Sequence, residues 1–257
     1  MSYPRLIPSA EPFFFPGRPT GCLLVHGFTG APKEMRWLGE YLASQGHTVL
    51  GVRLSAHATQ PEDMIRSRWW DWVASVEDGW AMLSGCTERI IVIGLSMGGI
   101  LALLSASYQP VAGVVAMAVP YHLPQDPRLH FIKLLSRFRR FQPKGPPAWY
   151  DMEAYREHVS YPGDPTRAYS ELRDLLVEMR AGLARVSAPA LLIYSKNDQT
   201  VKASDGHMEK IHDGLGSRII QTLWVENSVH VITCDAARQT VFQAVGEFVA
   251  KISEETV

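Results

Sequence analysis

The chain has 257 residues, of which 46% are hydrophobic and 20% charged, with a formal net charge of −1. That composition excludes disordered and fibrous classes and, at this length, favours one domain over two small ones. The near-neutral balance sets up no overall field for DNA, RNA or an anionic membrane, so no nucleic-acid partner is expected.

The N-terminal stretch places three prolines before a short aromatic run and holds no apolar segment of signal-peptide length. No later run approaches the roughly 18–20 apolar residues of a membrane span, so a cytoplasmic protein without stable membrane insertion is expected. Apolar strand patterns at 21–25, 48–52, 89–93, 111–117, 190–194 and 219–225 alternate with helical periodicity at 32–45, 69–83, 97–108, 171–183, 204–213 and 236–252. Strands that are nearly all apolar and separated by helices predict βαβ units: a mostly parallel sheet covered on both faces. The alternation breaks between about 119 and 170, where no strand pattern is visible and proline, aromatic and basic residues are frequent. One domain over 1–257 is therefore expected, with 120–170 as an insertion at the carboxyl edge of the sheet, where open α/β sheets bind ligands.

The strongest local signal is IIVIGLSMGG, in which an apolar strand runs through Gly94-Leu95-Ser96-Met97-Gly98 into a helix. GxSxG between strand and helix is a nucleophile elbow, a tight turn that lifts a serine hydroxyl above the sheet. Gly94 and Gly98 are expected to keep strand and helix close, and the helix N-terminus favours negative charge beside Ser96. Oxyanion donors are then expected from the Met97 backbone N–H and from Phe28 N–H in LLVHGFTGAP, where Gly27 and Gly30 let the chain turn its amides inward. Phe28 and Met97 are accordingly the expected substrate-binding residues.

A serine hydroxyl needs a base, and the base a carboxylate to hold its tautomer. Among nine histidines, His230 follows the last strand and precedes the last helix, where a loop can fold back over Ser96. His47 precedes a strand, His207 and His212 lie on a helix face, and His122, His130 and His158 lie in the insertion. Asp198 lies in a polar turn past the strand near 192, with Asp205 and Glu226 as the other acids considered. The order Ser96, Asp198, His230 is that of α/β-hydrolases. Cys22, Cys86 and Cys234, odd in number and without CxxC spacing, indicate neither a disulfide framework nor a zinc site. No metal or cofactor is expected.

The segments HGFTG (26–30), EDM (62–64), WWDWVASVEDG (69–79), GLSMGG (94–99), SKND (195–198) and NSVHVIT (227–233) resemble those of bacterial carboxylesterases and monoacylglycerol lipases of the α/β-hydrolase family. The resemblance covers nearly the whole chain and is weakest over 120–170. It implies the α/β-hydrolase fold, the same triad and oxyanion pair, and a small cap over the site. Where related enzymes carry GHG after the second of these strands, this chain has Ala56-His57-Ala58, which predicts a different loop path and a structural His57.

In the insertion, Phe131, Ile132, Leu134, Leu135 and Phe138 recur at near-helical spacing, with Lys133, Arg137, Arg139 and Arg140 between and beside them. This pattern predicts an apolar face laid over a pocket, the alternative being a surface helix touching lipid. The expected function is hydrolysis of small-molecule esters with short to medium acyl chains through an acyl-enzyme at Ser96. Monoacylglycerol lipase, thioesterase, amidase or acyltransferase activity on the same triad is the alternative within enzymes, and a binding protein on an inactive scaffold the alternative outside them. A dehalogenase would need a carboxylate in place of Ser96. Monomer and homodimer are both left open.

Overall fold

A computed structural model describes residues 6–124, 126–127, 131–145 and 147–254; His130 lies outside them. Nine strands and nine α-helices are found among the described residues. The strands are β1 (Phe13–Phe15), β2 (Arg18–Val25), β3 (His47–Val52), β4 (Arg89–Leu95), β5 (Gly113–Met117), β6 (Phe141–Pro143), β7 (Gly163–Pro165), β8 (Ala190–Ser195) and β9 (Ile220–Val225). The helices are α1 (Lys33–Ser44), α2 (Pro61–Arg66), α3 (Trp69–Ser84), α4 (Met97–Ala106), α5 (Ile132–Leu135), α6 (Met152–Glu157), α7 (Ala168–Gly182), α8 (His207–Gly214) and α9 (Arg238–Glu254).

Seven strands form one sheet in the order β1-β3-β2-β4-β5-β8-β9, parallel except for β1, which runs antiparallel to β3. Together with the helices and a small cap, this is the α/β-hydrolase architecture. The period of two along each strand sorts its side chains between two cores. Ile90 and Val92 of β4 pack with Trp72, Val76 and Leu83 of α3 and with α4 and α7, whereas Ile91, Ile93 and Leu95 pack with Leu38 and Leu42 of α1 and Val245 and Phe248 of α9. The central strands are therefore apolar on both faces, as doubly covered parallel strands must be.

The chain leaves β2 toward β3 on one side and returns to β4 on the other, so the carboxyl ends of β2 and β4 flank a switch point. The glycine loop after β2 and Ser96 after β4 both lie there. No described helix is long and apolar enough to cross a membrane.

Two expectations need correction. The insertion does contain strands: β6 and β7 pair antiparallel, Phe141 opposite Pro165, although at three residues each they are too short to show alternation. Nor does the apolar stripe cover a pocket, for Ile132 is buried while Phe131, Leu134, Leu135 and Phe138 are exposed, Phe138 at 85%. Helix α5 is a single turn, so the period that would gather these side chains onto one inward face is not sustained.

Candidate active site

Ser96 joins β4 to α4 with φ 54° and ψ −117°, a conformation that costs a non-glycine residue about 1–3 kcal/mol. Its surroundings hold it there. Ser96 N–H donates to Met117 O on neighbouring β5 at 2.7 Å, and α4 runs almost in contact with two strands. A Cβ on Gly94 would lie 2.0 Å from Gly98 O, and one on Gly98 would lie 2.1 Å from Val25 O. Both glycines are thus required by close approach, and Ser96 is left 8% exposed at the strand tip.

His230, on the segment between β9 and α9, places Nε2 2.7 Å from Ser96 Oγ and Nδ1 2.7 Å from Asp198 Oδ2. Asp198, past the end of β8, also accepts from Thr200 N–H at 2.7 Å and Val201 N–H at 3.0 Å through Oδ1. Burial works against its charge, but the His230 charge and hydrogen bond and these two amides outweigh it and hold the carboxyl below its ordinary range. An ionised Asp198 can only accept, which puts the imidazole proton on Nδ1 and leaves Nε2 free to accept from the serine. Burial likewise opposes a charged His230, yet Asp198, with a smaller contribution from Glu34, raises its pKa above the ordinary value. Such an arrangement can deprotonate a serine hydroxyl and return the proton to a leaving group.

The loop after β2 brings Phe28 to the same edge. Its conformation is set by His26, which is buried and kept neutral by that burial. His26 Nε2 accepts from Leu54 N–H at 3.2 Å, and its Nδ1, 2.9 Å from Gly27 O, donates there. Among the described residues neither Phe28 N–H nor Met97 N–H has a protein acceptor, as donors reserved for a ligand would require. The other acids lie elsewhere, Asp205 beside His207 and Glu226 paired with Lys196 at the surface.

The model of the Alpha/beta hydrolase family matches residues 22–238. The chain belongs to that family. Among its relatives, the hydrolase is 34% identical to the thermostable monoacylglycerol lipase of Bacillus sp. strain H-257 over 97% of each chain. It is 29% identical to a carboxylesterase of Bacillus subtilis strain 168 over 94% of this chain and 97% of the other. A solved structure from work on LipS and LipT, two metagenome-derived lipolytic enzymes, superposes with a TM-score of 0.89 at 31% identity, covering 96% of this chain and all of that one. A monoacylglycerol lipase of Paleococcus ferrophilus has the same fold, with a TM-score of 0.79 at 16% identity over 94% of this chain and 98% of the other.

Three residues that sequence reasoning passed over tie this hydrolase's cap to the loops around Ser96 and His230. Tyr161 is buried: its N–H donates to Thr29 O at 2.9 Å, and its hydroxyl donates to Ala56 O at 2.9 Å while accepting from Thr59 N–H at 3.0 Å. Asp235, fully buried, accepts from Val229 N–H on one oxygen and from Tyr150, Asp151 and Ala236 N–H on the other, all at 2.7–3.0 Å. Glu34, in the first turn of α1, accepts from Gly27 N–H and pairs with His158 of the cap, each at 2.9 Å. No sequence signal distinguishes Glu34 or Asp235, since acids at helix starts are ordinary complements to the helix dipole.

The alanine loop also departs from expectation. Ala56 and Ala58 adopt φ 61° and 58°, the left-handed region that glycine would occupy without strain. Positive φ, which alanine was expected to avoid, is adopted nonetheless, because Tyr161 and the Arg53 guanidinium, 2.9 Å from His57 O, fix the carbonyls and amides of this turn. His57 is buried beside His26 and Trp72, with burial keeping its pKa well below the ordinary value.

Proposed function

We propose that the chain is a serine-dependent carboxylic ester hydrolase. Ser96 is its nucleophile, His230 its general base and acid, Asp198 the residue that orients His230, and Phe28 and Met97 N–H the oxyanion donors. The observation that carries this reading is His230 spanning Asp198 and Ser96 with two contacts of 2.7 Å. Ser96 Oγ attacks the ester carbonyl as its proton passes to His230 Nε2. The tetrahedral oxyanion is met by the two amides, and the C–O bond breaks as His230 protonates the alcohol. Water, activated by the same nitrogen, then releases the acid. We further infer one catalytic unit over 1–257 with 120–170 as its cap, acting on small esters of short to medium acyl chains. Full-length identity with a monoacylglycerol lipase favours a second reading in which the alcohol is glycerol.

Hydrolysis of p-nitrophenyl esters from acetyl to palmitoyl, run beside monoacylglycerols, tests both readings. Wild type should turn over short or medium chains, and Ser96→Ala should lose at least about 10⁴-fold in kcat. Faster turnover of the glycerol esters would select the second reading. Full activity in Ser96→Ala would refute the triad, and an inert wild type would point to a thioester or another acyl acceptor.

A further inference from the structure

A second buried carboxylate, which the acyl-transfer scheme does not use, backs the oxyanion loop. Glu34 Oε2 accepts from Gly27 N–H and Oε1 from His158 Nε2, both at 2.9 Å. The loop is wrapped around it: a Cβ on Gly30 would lie 2.3 Å from Oε1, and one on Gly27 would lie 3.2 Å from Oε2 and 3.5 Å from Ser96 Cβ. We propose that Glu34, anchored in the cap by His158, is a positioning residue that fixes the oxyanion loop and lends His230 a second negative charge beyond that of Asp198. The proposal rests on the serine-hydrolase reading above.

Glu34 engages Gly27 N–H, while Phe28 N–H of the same turn has no protein acceptor among the described residues. A bare carboxylate so close to Ser96 would oppose an oxyanion, and the cap compensates it. His158 is nearly buried, packs tilted against Trp149 with ring centroids 5.0 Å apart and supplies the opposing donor. Burial works against ionised Glu34, but the His158 hydrogen bond and charge and the Gly27 amide outweigh it and keep the carboxyl below its ordinary range. The charged groups facing His230 are Asp198 from the turn after β8, Glu34 from α1 and Lys144 from the cap. The groups facing Glu34 are His158 and Lys144 from the cap, His230 before α9, the neutral His26 ring of the loop itself and the Cys234 thiol. Loss of the His158 contact would therefore reach both the oxyanion loop and the base.

The test is the pH dependence of kcat and kcat/KM for wild type, Glu34→Gln, Glu34→Ala and Ser96→Ala, with thermal melts to confirm folding. Glu34→Gln keeps an acceptor for Gly27 N–H and removes the charge. Its plateau kcat should stay within about threefold of wild type, while the acid limb moves to lower pH. Glu34→Ala should lower plateau kcat by at least about tenfold, with KM changed less than about threefold. An acid limb for Glu34→Gln superposed on wild type, or a folded Glu34→Ala with wild-type kcat, would overturn the proposal. If Glu34→Ala does not fold, the Glu34→Gln profile decides alone. Activity surviving Ser96→Ala would instead remove the reading on which the proposal rests.

Discussion

At Ser96, Asp198 and His230, the protonation states are set by what each side chain touches. The native state binds the His230 proton more tightly than the unfolded chain does, because Asp198 and Glu34 outweigh burial. That contribution to stability is fully present below the ordinary imidazole value of 6.5 and is lost as pH rises through the raised native value. Asp198 behaves oppositely: its contribution is present above the ordinary 3.8 and is lost as pH falls through the lower native value. With His230 as the proposed general base, catalysis needs it neutral, so the acid limb of kcat/KM should have its midpoint above 6.5. Asp198→Asn removes the strongest influence favouring the charged imidazole and the acceptor that selects its tautomer. Its kcat should fall roughly 10³–10⁴-fold and its acid limb should move to lower pH, as a pH–rate profile with a chromogenic ester would show. A midpoint below 6.5 in wild type would contradict the raised His230 value. The meeting of Ser96, Asp198 and His230 was legible in the sequence because each follows a strand. Glu34 and Asp235 were not, because their partners are backbone amides and a cap histidine brought together only by the fold.

Among the elements, the βα repeats were legible and the irregular pieces were not. All six expected strands and all six expected helices are present, with ends displaced by a few residues; the helix read over 171–183 runs Ala168–Gly182, and that read over 236–252 runs Arg238–Glu254. Strand β1 escaped because three consecutive phenylalanines show no alternation, although Phe13 packs inward and Phe14 stays exposed. The turn carrying Ala56 and Ala58 shows the opposite limit. Propensity argued against positive φ, and tertiary hydrogen bonds from Tyr161 impose it. Alanine in this region costs about 1–2 kcal/mol, so the turn stores strain. Replacing either alanine by glycine, normally destabilising through the unfolded chain, should here raise stability by about 0.5–1 kcal/mol. Urea unfolding of Ala56→Gly and Ala58→Gly would measure it, and a loss comparable to that at an ordinary loop position would mean the turn is relaxed.

For the whole molecule, the order of the strands does the assembling. Residues 28, 96, 198 and 230 are far apart in sequence and meet because β2, β4, β8 and β9 all end at one edge, two of them flanking the switch point. Among the contacts that tie the cap to this edge are the hydrogen bonds of Tyr161 and of Asp235. Asp235 has a consequence for motion. Its two oxygens hold the amides of Tyr150 and Asp151 from the cap together with those of Val229 and Ala236, which flank His230. An opening that frees one pair leaves a buried carboxylate short of two of its four donors, so the four amides should exchange with solvent deuterium at one common rate. Much faster exchange at Tyr150 and Asp151 than at Val229 would show the cap breathing on its own. With a shared rate, lifting this end of the cap would also unseat the histidine loop, and traffic of ester and products during turnover would have to pass by another side.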